Sequence, residues 1–233
     1  MKALALITAR GGSKRIPRKN IKNFFGKPIM SYPIEAALES KIFDKVMVST
    51  DDREIADIAV KYGAEMPFFR SEQNSNDTSG TLDVVIEVLD ELEKRGEHFD
   101  YLCCIYPTAV FVTSKKLCEV FRQIRETDAN GAFPVIRFST PIQRALIKSE
   151  TGFIKMKCPE FGKFRSQDLE PSFYDAGQYY WLKTSQIKKD GSLLDMNLLG
   201  IETPESEAQD IDNEEDWTMA EIKYDLLKNR KLK

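Results

Sequence analysis

Between residues 3 and 136 the chain alternates short apolar runs with stretches of helical periodicity, and this alternation narrows the fold more than any other feature of the sequence. Residues 3–7 (Ala-Leu-Ala-Leu-Ile) form a continuous apolar run of the kind a strand covered on both faces requires. Residues 46–48, 66–69, 101–105 and 132–136 read as further strands. The intervening segments read as helices. The first covers 28–41, with Ile29, Tyr32, Ala36 and Leu38 on one side. The second covers 54–62, with cap residues in Thr50, Asp51 and Asp52 and a closing Gly63. A third covers 79–95, striped by Leu82, Val85, Val88, Leu89 and Leu92, and a fourth covers 114–127. Strand–helix alternation of this length predicts an α/β fold: a doubly wound, mostly parallel Rossmann-like sheet with helices on both faces.

The rhythm breaks at about residues 138–176, which are rich in Pro, Lys, Arg and aromatics, with strand-like pieces at 145–147 and 153–157. This segment reads as an inserted β-arm within one domain spanning 1–233, suited to dimerisation. Residues 179–182 and 198–201 return to strand character. Residues 214–228 close the chain as a helix capped by Asp212 or Asn213.

Charge is unevenly placed. Residues 1–34 hold eight Lys or Arg and no acid, so the net −3 of the chain leaves −11 for the remainder. Eight acids and no base lie between residues 202 and 216. A basic head and an acidic tail segment suit a site holding phosphates and a cation, or two solvated faces of opposite sign. The overall charge gives no reason to expect a nucleic-acid partner. No run approaches the ~20 apolar residues of a membrane span, and residues 1–9 lead into basic residues, not into a secretory cleavage site. Cys103, Cys104, Cys118 and Cys158 match neither a zinc set nor a disulfide framework. The expectation is a reduced, cytoplasmic protein.

The strongest chemical signal is the loop of residues 9–20, Ala-Arg-Gly-Gly-Ser-Lys-Arg-Ile-Pro-Arg-Lys-Asn, directly after the first strand. Ligands of doubly wound sheets bind beyond the carboxyl ends of strands. Gly11 and Gly12 let backbone N–H groups approach an anion, and Arg10, Lys14 and Lys19 can neutralise a polyphosphate. Neither the Walker spacing nor G-x-G-x-x-G is present, which argues against a P-loop ATPase and a dinucleotide dehydrogenase. Asp210 and Asp212, two apart in an extended segment, point to one side and offer oxygen ligands for Mg²⁺. A single histidine, His98, before the strand at 101, speaks against Ser-His-Asp or Cys-His catalysis.

The loop motif resembles the nucleotide loop of the CMP-sialic acid synthetase (acylneuraminate cytidylyltransferase) family. The resemblance continues, in order, through Val48-Ser-Thr-Asp51, Arg70 with Asn76-Asp-Thr-Ser-Gly-Thr81, Tyr106-Pro-Thr108, Tyr174-Asp-Ala-Gly-Gln-Tyr-Tyr180 and Asp210-Ile-Asp212. It covers residues 3 to about 217 and is nearest to the pseudaminic acid cytidylyltransferase branch, where Ala176-Gly177 replaces an Asn-Gly pair. One departure is Val110, where the family usually has proline near the cytosine side of the pocket.

The resemblance implies the sheet type of nucleotide-diphospho-sugar transferases and a homodimer. It also implies a reaction in which the anomeric hydroxyl of an acidic nine-carbon sugar attacks the α-phosphorus of CTP and pyrophosphate leaves. Arg10, Lys14 and Lys19 would bind the triphosphate, and Asp210 and Asp212 would hold Mg²⁺. Ala9, Arg10, Gly11, Gly12, Ser13, Lys19, Asn20, Arg70, Thr81 and Tyr106 would form the nucleotide site, with Arg70 at the acceptor edge of cytosine. Arg165, Tyr174 and Gln178, with Lys163, are the candidates for the sugar. Phe161, Phe164 and Phe173 suit arm core or dimer contact equally. The alternatives are the same reaction on legionaminate, neuraminate or a 3-deoxy-octulosonate, a glycosyltransferase using a nucleotide-sugar, and a nucleotide-binding protein without turnover.

Overall fold

The computed structural model describes residues 1–76, 78–187 and 196–230. Its centre is a mixed sheet. Strands β1 (Ala3–Thr8), β4 (Lys45–Ser49) and β5 (Tyr101–Ile105) are parallel, with β1 in the middle. β6 (Gly131–Arg137) and β11 (Leu198–Glu202) extend the sheet in the same direction. Between β5 and β6 runs β10 (Tyr179–Lys183), antiparallel to both. The order is β11-β6-β10-β5-β1-β4, and β9 (Phe173–Asp175) pairs antiparallel with the far end of β6. β9 and β10 therefore cover one edge of β6 in succession, interrupted at Ala176–Gln178.

The continuous apolar runs are explained by two covered faces. Ala3, Ala5 and Ile7 pack with α1 (Ser31–Ser40), α2 (Arg53–Lys61) and α4 (Ser114–Arg125). Leu4 and Leu6 pack on the opposite face against Val85, Val88 and Leu92 of α3 (Thr81–Lys94). This period-2 division is what a pleated strand imposes. Trp181 on β10 is fully buried and stacks between Phe43 and Phe121, with ring centroids 5.0 and 4.6 Å away. Cys103 and Cys104 are free and buried in β5.

Helix ends follow local chemistry. Asp52 caps α2 by accepting from the Ile55 N–H at 3.0 Å, and Gly63 leaves the helix at φ +93°. Asn213 caps the last helix, α5 (Glu214–Arg230), accepting from the Glu215 and Asp216 N–H groups, while Asp216 accepts from the Asn213 N–H at 3.0 Å.

Three expectations are corrected. Residues 66–69 form no strand; the segment makes one parallel bridge, at Glu65 beside Met47. Glu65 donates to Val46 and accepts from Val48, and the next donor in that ladder would be Pro67, which has no N–H. The first helix begins at Ser31, not at 28, and turns Ile34 and Ala37 inward while Leu38 is exposed. The preceding residues instead form a hairpin, β2 (Asn23–Phe24) and β3 (Lys27–Pro28), around Phe25 and Gly26, both at positive φ. Val110, expected beside cytosine, is buried with Ile16, Phe24, Ile211 and Trp217 in a third core cluster under α5.

Residues 138–172 leave the sheet as an arm. It carries the hairpin β7 (Leu146–Lys148) and β8 (Ile154–Met156), and the chain rejoins the sheet at β9. Among the described residues no helix is long and apolar enough to cross a membrane.

Candidate active site

The carboxyl ends of β1, β4 and β5 open into a cleft of about 530 Å³. The loop after β1 forms one wall. Its shape is fixed from within: Asn20, buried, donates its side-chain amide to the Arg10 carbonyl at 2.9 Å, and Ile16 anchors the loop in the third core cluster. Arg18, at φ +56°, chelates Asp52 and also meets Glu54. That pairing holds the Asp52 carboxyl below the usual carboxylate range. Arg10 donates to the Asn76 carbonyl at 3.0 Å, which ties the loop to the far wall before α3. Asp77 of the motif that follows Arg70 lies outside the described residues.

The acidic tail segment closes the cleft from the other side. Ile211 is buried, so its neighbours Asp210 and Asp212 both point into the cleft, as the two-residue spacing predicts. Lys19 joins head to tail: its ammonium donates to the Ile211 carbonyl and lies 3.7 Å from Asp212, which also pairs with Arg15 at 2.8 Å. Burial lowers the Lys19 pKa, and Asp212 and Asp210 oppose that shift. Asp210 is open to solvent on its cleft side but walled by protein elsewhere. This partial desolvation, with the neighbouring Asp212 charge, raises its carboxyl pKa. Among the described residues Asp210 has no ion-pair partner within 4.0 Å, whereas Asp212 has two.

Ten of the residues singled out from sequence line this cleft: Arg10, Ser13, Lys14, Lys19, Asn20, Arg70, Thr81, Tyr106, Asp210 and Asp212. Arg70 is buried at 8% exposure, bound through Nε to Ser49 Oγ at 3.0 Å and through Nη2 to the Ser49 carbonyl at 2.6 Å. Burial lowers its pKa, and Asp51 opposes that shift. Thr81 Oγ1 and Tyr106 Oη are 3.1 Å apart across the floor.

The other six are placed elsewhere. Ala9 is buried and donates its N–H to Ser49. Gly11, expected to offer its N–H to an anion, donates it to Asp51 Oδ1 at 2.8 Å; neither it nor Gly12 lines the cleft. A side chain at Gly11 would meet Asp52 Oδ2 at 2.9 Å, so the glycine serves loop packing. Gln178 is 1% exposed; its side-chain Nε2 donates to the Glu207 carbonyl at 3.1 Å and its backbone carbonyl accepts from the Tyr106 N–H. It lines neither cleft, and its side-chain Oε1 is buried without a hydrogen-bond partner among the described residues. Arg165 is exposed on the arm and, like Lys163, lines neither this cleft nor its neighbour.

Tyr174 lies in that neighbour, a cleft of about 360 Å³ shared with Asp175, Glu205, Gln209, Asp216 and Lys223. Asp210 and Asp212 line both clefts and form the seam between them. Gly177, at φ +61°, lets the β9–β10 interruption press against this seam; a Cβ there would stand 3.1 Å from Asp210 Cβ. Sequence reasoning missed Arg15, Asp51, Asp175 and Lys223. Asp51 and Asp175 lay within quoted motifs, but nothing local marks Lys223 apart from the other lysines of α5.

Among the described residues no three His, Cys, Asp or Glu side chains gather as a metal cluster. Two hard oxygen donors, one under-compensated, fit a cation whose remaining ligands are phosphates and water, as Mg²⁺ favours.

The chain is similar to known proteins in both sequence and fold. The family model described as Cytidylyltransferase matches residues 4–160. Pseudaminic acid cytidylyltransferase of Campylobacter jejuni subsp. jejuni serotype O:2 is 39% identical over 230 residues, 96% of this chain and 97% of the relative. CMP-N,N'-diacetyllegionaminic acid synthase of Legionella pneumophila subsp. pneumophila is 33% identical, covering 97% of each chain. A solved structure of CMP:2-keto-3-deoxy-manno-octonic acid synthetase complexed with CTP superposes with a TM-score of 0.68 over 98% of this chain and 100% of that one; at 17% identity it speaks for the fold.

Proposed function

This chain belongs to the cytidylyltransferase family, and from that premise we propose that it activates pseudaminate, joining it to CMP from CTP and releasing pyrophosphate. It is a CTP-using enzyme acting on an acidic nine-carbon sugar. The observation that carries the reading is the seam: Asp210 and Asp212 stand where a nucleotide-sized cleft with a basic wall meets a second cleft. An acceptor hydroxyl in the second cleft would reach an α-phosphate in the first.

The residue roles follow from chemistry. Arg10, Lys14 and Lys19 neutralise the triphosphate, and Lys19 is already fixed by the Ile211 carbonyl. Ser13 and Asn20 lie alongside them. Arg70, anchored twice on Ser49, keeps further guanidinium donors for the O2/N3 edge of cytosine. Uracil presents a donor at N3, so this contact disfavours UTP. Asp210 and Asp212 are the residues that would hold Mg²⁺, which when bound offsets phosphate charge and acidifies a hydroxyl. The anomeric oxygen attacks in line, and catalysis is mainly positioning plus electrostatic stabilisation. The test is pyrophosphate release with Mg²⁺, pseudaminate and each nucleoside triphosphate in turn. CTP is expected to exceed UTP by at least about tenfold in kcat/KM; equal use of UTP contradicts the role given to Arg70.

The arm is assigned to homodimerisation. It exposes Leu146, Ile147, Phe153 and Ile154 on one short hairpin, an apolar surface that a monomer would leave in water. The paired substitutions Phe153→Asp and Ile154→Asp are expected to convert a dimer to a monomer in sedimentation velocity. An unchanged sedimentation coefficient contradicts the assignment.

A further inference from the structure

We propose that Lys223 recognises the carboxylate of the acidic sugar, holding it beside the Asp210–Asp212 seam. The inference rests on the acceptor reading above and names the residue that selects an acid. Lys223 projects from α5 into the second cleft. Its ammonium donates to the Ala208 carbonyl at 2.9 Å and to Gln209 Oε1 at 2.9 Å. Both acceptors are neutral, and one of its three N–H donors remains for a ligand. Among the described residues no carboxylate lies within 4.0 Å of it. Burial lowers its pKa, opposed by Glu205 at longer range. A partly desolvated ammonium without a counterion carries a cost, and an arriving anion relieves it.

The rest of the cleft lining is acidic. Its other ionisable walls are Tyr174 and the carboxylates of Asp175, Glu205, Asp210, Asp212 and Asp216, so Lys223 is the cation in the lining. An acid entering such a cleft is repelled unless one positive group meets it. In a 2-ulosonic acid the carboxylate sits on the carbon that bears the reacting hydroxyl. A group anchoring that carboxylate therefore also aims the hydroxyl at the seam, so Lys223 acts as a specificity and positioning residue.

The test is calorimetric binding of pseudaminate and of its C1 carboxamide, with a non-hydrolysable CTP analogue present, to the wild type and to Lys223→Gln, Lys223→Arg and Arg165→Gln. Lys223→Gln is expected to weaken the acid about 30-fold and the carboxamide less than twofold, because a charge-assisted hydrogen bond is lost only with the acid. Lys223→Arg should recover most of the loss, and affinity for the CTP analogue should not change. Equal weakening of acid and carboxamide, binding of the acid unchanged in Lys223→Gln, or loss confined to Arg165→Gln overturns the proposal while leaving the acceptor reading intact. A wild type that binds neither ligand overturns both.

Discussion

Asp210→Asn is expected to lower turnover on the order of a thousandfold and, in chelator, to raise the melting temperature. The two effects have one cause. Partial desolvation and the Asp212 charge hold the Asp210 carboxyl above its ordinary pKa. A carboxyl with a folded pKa above its unfolded one makes the native state the better proton binder between the two values. Stability therefore falls as pH rises through that window and stays lower above it. An amide cannot ionise, so the variant escapes this cost at neutral pH, and the gap in melting temperature should narrow as pH falls through the window. Asp212→Asn should lose as much activity with little gain in stability, because Asp212 is already compensated by Arg15 and Lys19. Scanning calorimetry from pH 4 to 8 beside a pyrophosphate assay separates the cases. A less stable Asp210→Asn, or near-normal turnover in either variant at ordinary Mg²⁺, contradicts the role given to the pair.

Trp181→Ala is expected to cost about 4 kcal/mol, within the range for deleting a large buried aromatic. Trp181 is the largest of the fully buried side chains and is stacked on both ring faces. It sits on β10, the antiparallel strand that joins the β5 and β6 parts of the sheet. For a chain of this size that cost corresponds to a fall in melting temperature of roughly 10 °C. Chemical denaturation should show a lower midpoint with an unchanged slope. A loss below about 1 kcal/mol would mean that β10 is not a stability centre, since such a loss is typical of far milder core changes.

Much of this was legible in the chain. The β1, β5, β6, β10 and β11 positions follow from apolar runs because both sheet faces are covered. Asp210 and Asp212 could be placed on one side because Ile211 between them belongs in the core. What failed was non-local. Pro67 ends a ladder only because Val48 is the neighbour that would accept its missing N–H. Gly11 looked like an anion contact, yet its N–H is claimed by Asp51 forty residues away. Gln178, a candidate for the sugar, is buried outside both clefts, with its Nε2 held by the Glu207 carbonyl. Val110 read as a pocket residue, yet α5 folds over it. In each case the partner comes from a distant segment, and no local pattern encodes it. Lys223 is the same problem inverted: its importance lies in lacking a carboxylate partner, which only the assembled cleft reveals.

The most direct measurement is pyrophosphate release by the purified protein with CTP and Mg²⁺, across pseudaminate, legionaminate, neuraminate and 3-deoxy-octulosonate, with the CMP-sugar product identified by mass. Release with pseudaminate, well above the other three, is the expected result. Release with a different sugar keeps cytidylyl transfer and contradicts the substrate, and silence across all four sugars in a protein that still binds CTP contradicts the account of the seam as a catalytic junction.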